Sequence, residues 1–117
     1  MQYLFLAYRD VSQWEILSAR ERYAFDKACL AIYEALRDSG YLLGTVRLQN
    51  YSTATTVRVQ NGKLSLTDSP FTETKEQLVG LFFINARDLN EAVRLASKMP
   101  QARHGPIQVV PMVEVRV

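Results

Sequence analysis

The stretch TTVRVQNGKLSLT (Thr55–Thr67) decides how the rest of the chain is read. Two short runs rich in β-branched and aliphatic residues flank Asn61-Gly62. Asn and Gly both tolerate the positive φ that a two-residue type I′ turn demands, so the stretch is a hairpin. That loop pairs Val57 with Leu66 and Val59 with Leu64 on one face. Arg58, Gln60, Lys63 and Ser65 fall on the other, and a half-exposed hairpin is expected. Because it is closed on itself, it can be lifted out of the order of elements as an insertion.

What remains on either side has a simple pattern. QYLFLAY (Gln2–Tyr8) is almost wholly apolar and reads as a buried strand. RDVSQ follows as loop and WEIL as a short turn. Ser18 with Glu21 forms a capping box, and Phe25, Cys29, Ile32 and Leu36 lie on one helical face. Gly40 suits the residue just past a helix end, so a helix is predicted over Ala19–Ser39. YLLGTVRLQ (Tyr41–Gln49) is a second strand and LVGLFFINA (Leu78–Ala86) another apolar one. Asp88 and Glu91 make a second capping box for a shorter helix, with Leu89, Ala92, Val93 and Ala96 as its expected buried face and Pro100 just beyond its end. IQVVPMVEV (Ile107–Val115) closes the chain, and Pro111 argues for an edge position or a bulge.

The order is β-α-β-(β-β)-β-α-β. Without the hairpin it is βαββαβ, the ferredoxin-like split arrangement, an α+β fold with two helices on one face of an antiparallel sheet. The strands YLFLAY and VGLFFI are apolar on both faces, yet two helices cover only one. The same face of a second copy is the simplest cover, so the sequence predicts a homodimer that closes into a dimeric α+β barrel.

Bulk composition narrows the function classes. The chain has 117 residues, expected to form one domain over 1–117, with 48% hydrophobic and 22% charged residues. A net charge of +2 is spread along the chain without a basic run, which argues against nucleic acid. One cysteine and one histidine offer no metal-ligand spacing, and no cofactor motif is present. No apolar run approaches the ~18 residues of a membrane span, and cytoplasmic residence is the default expectation.

The start MQYLFLAYRD, the segment TATTVRVQNGKLSLTDSPFTETKEQLVGLFFINARDLNEAVRLASKMP and the close ARHGPIQVVPM resemble the DGPF-domain branch of the YCII-related family. The resemblance implies a dimeric α+β barrel of ferredoxin-like subunits. It also implies a genetic setting beside extracytoplasmic-function sigma factors, and for the wider family a His–Asp pair in a small-molecule cavity. Here the histidine near the start of the first helix is missing from SARERYAF, while Asp38 matches the aspartate. The D-G-P-F pattern reads Asp68-Ser69-Pro70-Phe71, with serine in place of the glycine.

Candidate site residues follow. Asp38 sits in the last turn of the first helix, where the macrodipole disfavours a carboxylate, and is either a functional group or a solvated acid balanced by Arg37. Asp68 is either an Asx-type turn or an acid/base group. His104, the only side chain that titrates near neutrality, is either an exposed loop residue or the base that the first helix lacks. These three are the expected catalytic groups. If the His104 loop folds over the cavity, Arg103 is placed to hold a carboxylate or phenolate; Tyr8 and Trp14 either line the cavity mouth or are packed, and Phe71 is a core or dimer anchor or a stacking platform for the ligand. Glu73, Lys75 and Glu76 read as a solvated run, and Cys29 as packing. Two functions are consistent with this set: a cofactor-independent enzyme or binding protein for a small molecule, and a regulatory partner protein that acts through the exposed hairpin face.

Overall fold

The computed structural model describes residues 1–49, 53–68 and 75–115. Ser69, Phe71 and Glu73 lie outside the described residues.

Strand β1 (Gln2–Asp10) is followed by a short helix α1 (Val11–Glu15). α1 starts earlier than the expected turn because Asp10 caps it, its carboxylate accepting from the Ser12 N–H at 3.0 Å and the Ser12 hydroxyl at 2.6 Å. Those bonds hold the Asp10 carboxyl below the usual carboxylate range. Helix α2 (Ala19–Asp38) begins at Ser18, where the capping box is complete in both directions. Its apolar stripe buries Phe25, Cys29 and Leu36, with Ile32 partly buried behind them. Gly40, at φ 81°, ends it in the left-handed conformation that glycine adopts without strain.

Strands β2 (Leu42–Arg47), β5 (Glu76–Asn85) and β6 (Ile107–Pro111) complete a sheet of order β2-β5-β1-β6, in which each neighbouring pair is antiparallel. Strands β3 (Thr56–Gln60) and β4 (Lys63–Thr67) form a separate two-stranded sheet. The fold is therefore the ferredoxin-like α+β arrangement with an inserted hairpin. Pro111 ends β6, which is an edge strand, where a missing N–H costs the sheet little. Asn61 at φ 52° and Gly62 at φ 74° make the expected turn, and Val57 pairs with Leu66 and Val59 with Leu64. The expectation of a half-exposed hairpin needs correction. Val57, Val59, Leu64 and Leu66 are 59–67% exposed, so neither face is covered within one chain.

Helix α3 (Leu89–Ser97) follows Asp88, whose carboxylate accepts from the Glu91 N–H at 2.9 Å. Glu91 does not return to Asp88; it accepts from the Arg87 N–H at 2.8 Å and is buried between Arg87 and Arg94. The buried face also differs from expectation. Leu95 packs inside with Ala92 and Ala96, while Leu89 and Val93 are about half exposed. The helix is rolled toward Glu91, whose charge is met by the two guanidinium groups.

The core lies between the helices and one face of the sheet. Tyr3, Phe5 and Ala7 of β1 and Phe82 and Ile84 of β5 form its floor, each worth up to roughly 1.5–3 kcal/mol of burial for a large side chain. The opposite face carries Leu4, Leu6, Val46, Leu81, Phe83 and Val110, whose side chains are partly or largely exposed.

Candidate functional site: a cavity between the sheet and the long helix

Cross-strand register explains where the interior is open. Phe5, Phe82 and Thr45 form one row across β1, β5 and β2, and the next row is Ala7, Gly80 and Arg47. The second row has almost no side chain in its middle. A cavity of about 310 Å³ sits above it. Asp26, Cys29, Leu30 and Tyr33 of α2 close the cavity from above, and their i, i+3, i+4, i+7 spacing puts all four on one helical face. Gln101, from the 3₁₀ turn Pro100–Arg103, closes one end.

Two irregularities aim polar groups into this space. The β1–β5 register shifts after Ala7, leaving Val79 as an extra residue that lines the cavity. In β2, Leu43 is extra between Leu42 and Gly44. Plain alternation from Leu42 would send Arg47 to the opposite face. The extra residue shifts the phase, so Thr45 pairs with Phe82 and Arg47 with Gly80 on the helix side.

Arg9 is the least expected group. It continues the inward series Tyr3, Phe5, Ala7, so its side chain enters the interior. Its guanidinium lies 3.9 Å from the Trp14 ring centroid and within reach of Phe25. Among the described residues it makes no ion pair. Burial first, and the charge of Arg47 second, lower its pKa from the usual arginine value. Arg47 itself pairs with Asp26 at 3.5 Å, an exposed contact worth about 0–1 kcal/mol. An adjoining cavity of about 270 Å³ shares Arg9, Asp26, Arg47 and Val79 and adds Trp14 and Arg22.

At the far end, the Gln101 Nε2 group donates to the Tyr33 hydroxyl and lies 3.5 Å from the Cys29 sulfur. Burial pushes the Tyr33 hydroxyl up to about 12, with the neighbouring Cys29 adding to the rise. Burial also pushes the Cys29 thiol up, so near neutral pH it is an inert thiol and not a nucleophile. Gln101 is only 8% exposed, and its Oε1 has no hydrogen-bond partner among the described residues.

The expected site residues divide between locations. Trp14, Arg103 and His104 come together, with Arg9 and Asp10, around a third cavity of about 320 Å³. The His104 ring packs edge-on against Trp14 and Phe25, with centroids at 5.6 and 5.0 Å. Gly105 holds that loop against β1, since a Cβ there would lie 1.9 Å from the Tyr8 carbonyl oxygen. Tyr8 lies on the open face of the sheet, where its hydroxyl donates to Gln108 Oε1 at 2.8 Å. Asp38 stands at the end of α2, its side chain 76% exposed and 3.8 Å from Arg37. Asp68 is exposed after β4, and neither aspartate lines the three cavities. Phe71 lies outside the described residues. Sequence reasoning missed Arg9, Asp26, Arg47, Tyr33 and Gln101. Arg9 was accessible from the alternation of β1, and Asp26 and Tyr33 from their spacing about Cys29. Arg47 depends on a bulge and Gln101 on a tertiary contact.

Among the described residues, no three His, Cys, Asp or Glu side chains cluster as metal ligands, and no helix is long and apolar enough to cross a membrane. The arrangement suits binding of an anion with an apolar body: two guanidinium groups at one end, one of them paired with Asp26, and walls of Ala7, Leu30, Val79 and Phe82.

The sequence model of the YCII-related domain matches residues 1–116. An uncharacterized protein of Rhizobium meliloti (strain 1021) is 32% identical over 102 residues, which cover 87% of this chain and 82% of that protein.

Proposed function

Since the chain belongs to the YCII-related family, we propose that it is a small-molecule-binding protein whose ligand is an anion with an apolar body, held between α2 and the sheet. The observation that carries this reading is Arg9. A half-buried guanidinium that makes no ion pair among the described residues is costly, and an anionic ligand beside Arg9 and Arg47 offsets that cost. Acid–base catalysis by Asp38 and Asp68 receives no support from their positions, so binding is the version the geometry favours. His104 and Arg103 line the neighbouring cavity with Arg9 and stand as a second contact region for the same ligand.

The test is a thermal-denaturation series with benzoate and benzyl alcohol as probes. Benzoate raises the Tm of the wild type and benzyl alcohol does not, and Arg9→Met removes the difference. Equal shifts by both probes, or no shift with either, would refute the reading.

The protein works as a homodimer on the same reading. The open sheet face presents Leu4, Leu6, Val46, Leu81, Phe83 and Val110 without a cover in the chain, and a second copy of that face supplies one. Light scattering at micromolar concentration reports twice the chain mass, and a stable monomer sinks this part. The exposed hairpin favours a second reading, a non-enzymatic regulatory partner of the kind that the sigma-factor setting implies. An isolated two-stranded hairpin is marginal in water, so its four uncovered aliphatic side chains call for a contact. Replacing Val59 and Leu64 by Ser separates the two: loss of the dimer makes the hairpin an arm of the assembly, and an intact dimer assigns it to another protein.

A further inference from the structure

We infer that the ligand of the helix–sheet cavity is a carboxylate that also carries a hydroxyl or amine donor, with Gln101 as the residue that selects for it. The inference rests on the anion-binding reading and extends it to the opposite end of the cavity.

Gln101 is more than nine-tenths buried and lines the cavity. One end of its amide is engaged: Nε2 donates to the Tyr33 hydroxyl and faces the Cys29 sulfur. Nε2 thus faces two acceptors, the Tyr33 oxygen and the Cys29 sulfur. This network sets which way the amide points. Oε1 is then the end left for the contents of the cavity, and among the described residues it has no partner. A buried carbonyl oxygen without a donor carries its full desolvation cost, and interiors rarely retain one. A ligand that brings an O–H or N–H to this oxygen removes that cost, whereas one that brings an ether or a ketone oxygen does not.

The two ends of the cavity therefore ask for different groups. Arg9 and Arg47 meet a negative charge, and Gln101 meets a donor. Ala7, Leu30, Val79 and Phe82 line the space between with apolar surface. The volume of about 310 Å³ equals roughly ten waters at ~30 Å³ each, which suits a body of about one ring. Hydroxylated or amino-substituted aromatic carboxylates satisfy all three conditions.

The experiment measures dissociation constants by titration calorimetry for the hydroxybenzoates and hydroxyphenylacetates, their methoxy counterparts, and benzoate and phenylacetate. The methoxy compounds keep the oxygen and lack the donor, so the wild type alone tests the inference even if variants fold poorly. At least one hydroxy acid binds the wild type about tenfold or more tightly than its methoxy and unsubstituted partners. In Gln101→Met that preference falls to within about twofold. If the acids bind without preference but lose affinity in Arg47→Met, the anionic site stands and the role of Gln101 is overturned. A preference for the methoxy compounds overturns it as well, because it means that the amide presents its N–H groups. If no acid binds, or binding ignores Arg9→Met and Arg47→Met, the anion-binding reading falls and this inference falls with it.

Discussion

Tyr33 ties the stability of this protein to pH in a way that can be worked through. Its hydroxyl is pushed from 10.0 to about 12, first by burial between α2 and the sheet and then by Cys29 beside it. The unfolded chain loses this proton near pH 10 and the folded chain only near pH 12. Between those values the unfolded state binds fewer protons, so stability falls as pH rises. The contribution is complete below pH 10 and is lost by about pH 12. Two pH units at ~1.4 kcal/mol each give about 2–3 kcal/mol, at the low end because the ring is partly exposed. The Cys29 thiol, also raised by burial, adds a loss of the same sign that begins at lower pH, while Arg47 nearby opposes both. Urea unfolding of wild type and Tyr33→Phe at pH 7 and between pH 9 and 12 isolates the tyrosine. At pH 7 the variant is weaker by about 0.5–1.5 kcal/mol, since Gln101 loses its acceptor. As pH approaches 12 the wild type declines faster, so the gap closes and then reverses. A gap that stays constant from pH 9 to 12 would refute the burial of this hydroxyl, and with it the packing of the Gln101 end of the cavity.

Three further outcomes test the geometry. Gly80→Leu fills the empty middle of the Ala7–Gly80–Arg47 row; its Cβ would sit 3.4 Å from the Val46 carbonyl oxygen, so far-ultraviolet circular dichroism is unchanged while the benzoate-induced Tm shift is lost. Gly105→Ala forces the His104 loop off β1 and costs at least about 2 kcal/mol in urea unfolding, with a change in the His104 ring resonances, because a methyl group cannot occupy 1.9 Å from a carbonyl oxygen. Glu91→Ala leaves the Arg87 N–H without its acceptor and uncouples Arg94, which lowers stability by about 2–4 kcal/mol by the same measurement; a loss under ~1 kcal/mol would show that the buried carboxylate contributes little.

Local rules carried most of the fold. Asn61-Gly62 dictated both the turn and the pairing of Val57 with Leu66, because a two-residue loop allows one register. Ser18 and Glu21 marked the start of α2 to the residue, since a cap is a contact between near neighbours. Pro111 argued for an edge position or a bulge, and β6 is an edge strand. The roll of α3 escaped the pattern. Leu89 and Val93 have the right spacing for a buried stripe, but the buried Glu91 and its two arginines turn a different face inward.

The candidate site divides along the same line. Alternation along β1 already holds the information that Arg9 follows Tyr3, Phe5 and Ala7 inward, and helical spacing already groups Asp26, Cys29 and Tyr33. What makes these residues a site is absent from any local pattern. The phase of Arg47 depends on Leu43 being extra in the pairing with β5, a property of two strands together. The void depends on Ala7, Gly80 and Arg47 sharing a row, residues far apart in the chain that only the sheet register aligns. Gln101 meets Tyr33 across 68 residues of sequence, and only that contact leaves its oxygen without a partner among the described residues. Short-range sequence chemistry therefore determined the elements and their order, because caps, turns and alternation act between neighbours. The cavity and its polar ends were decided in three dimensions, where register and packing bring distant side chains together and leave one interior row unfilled.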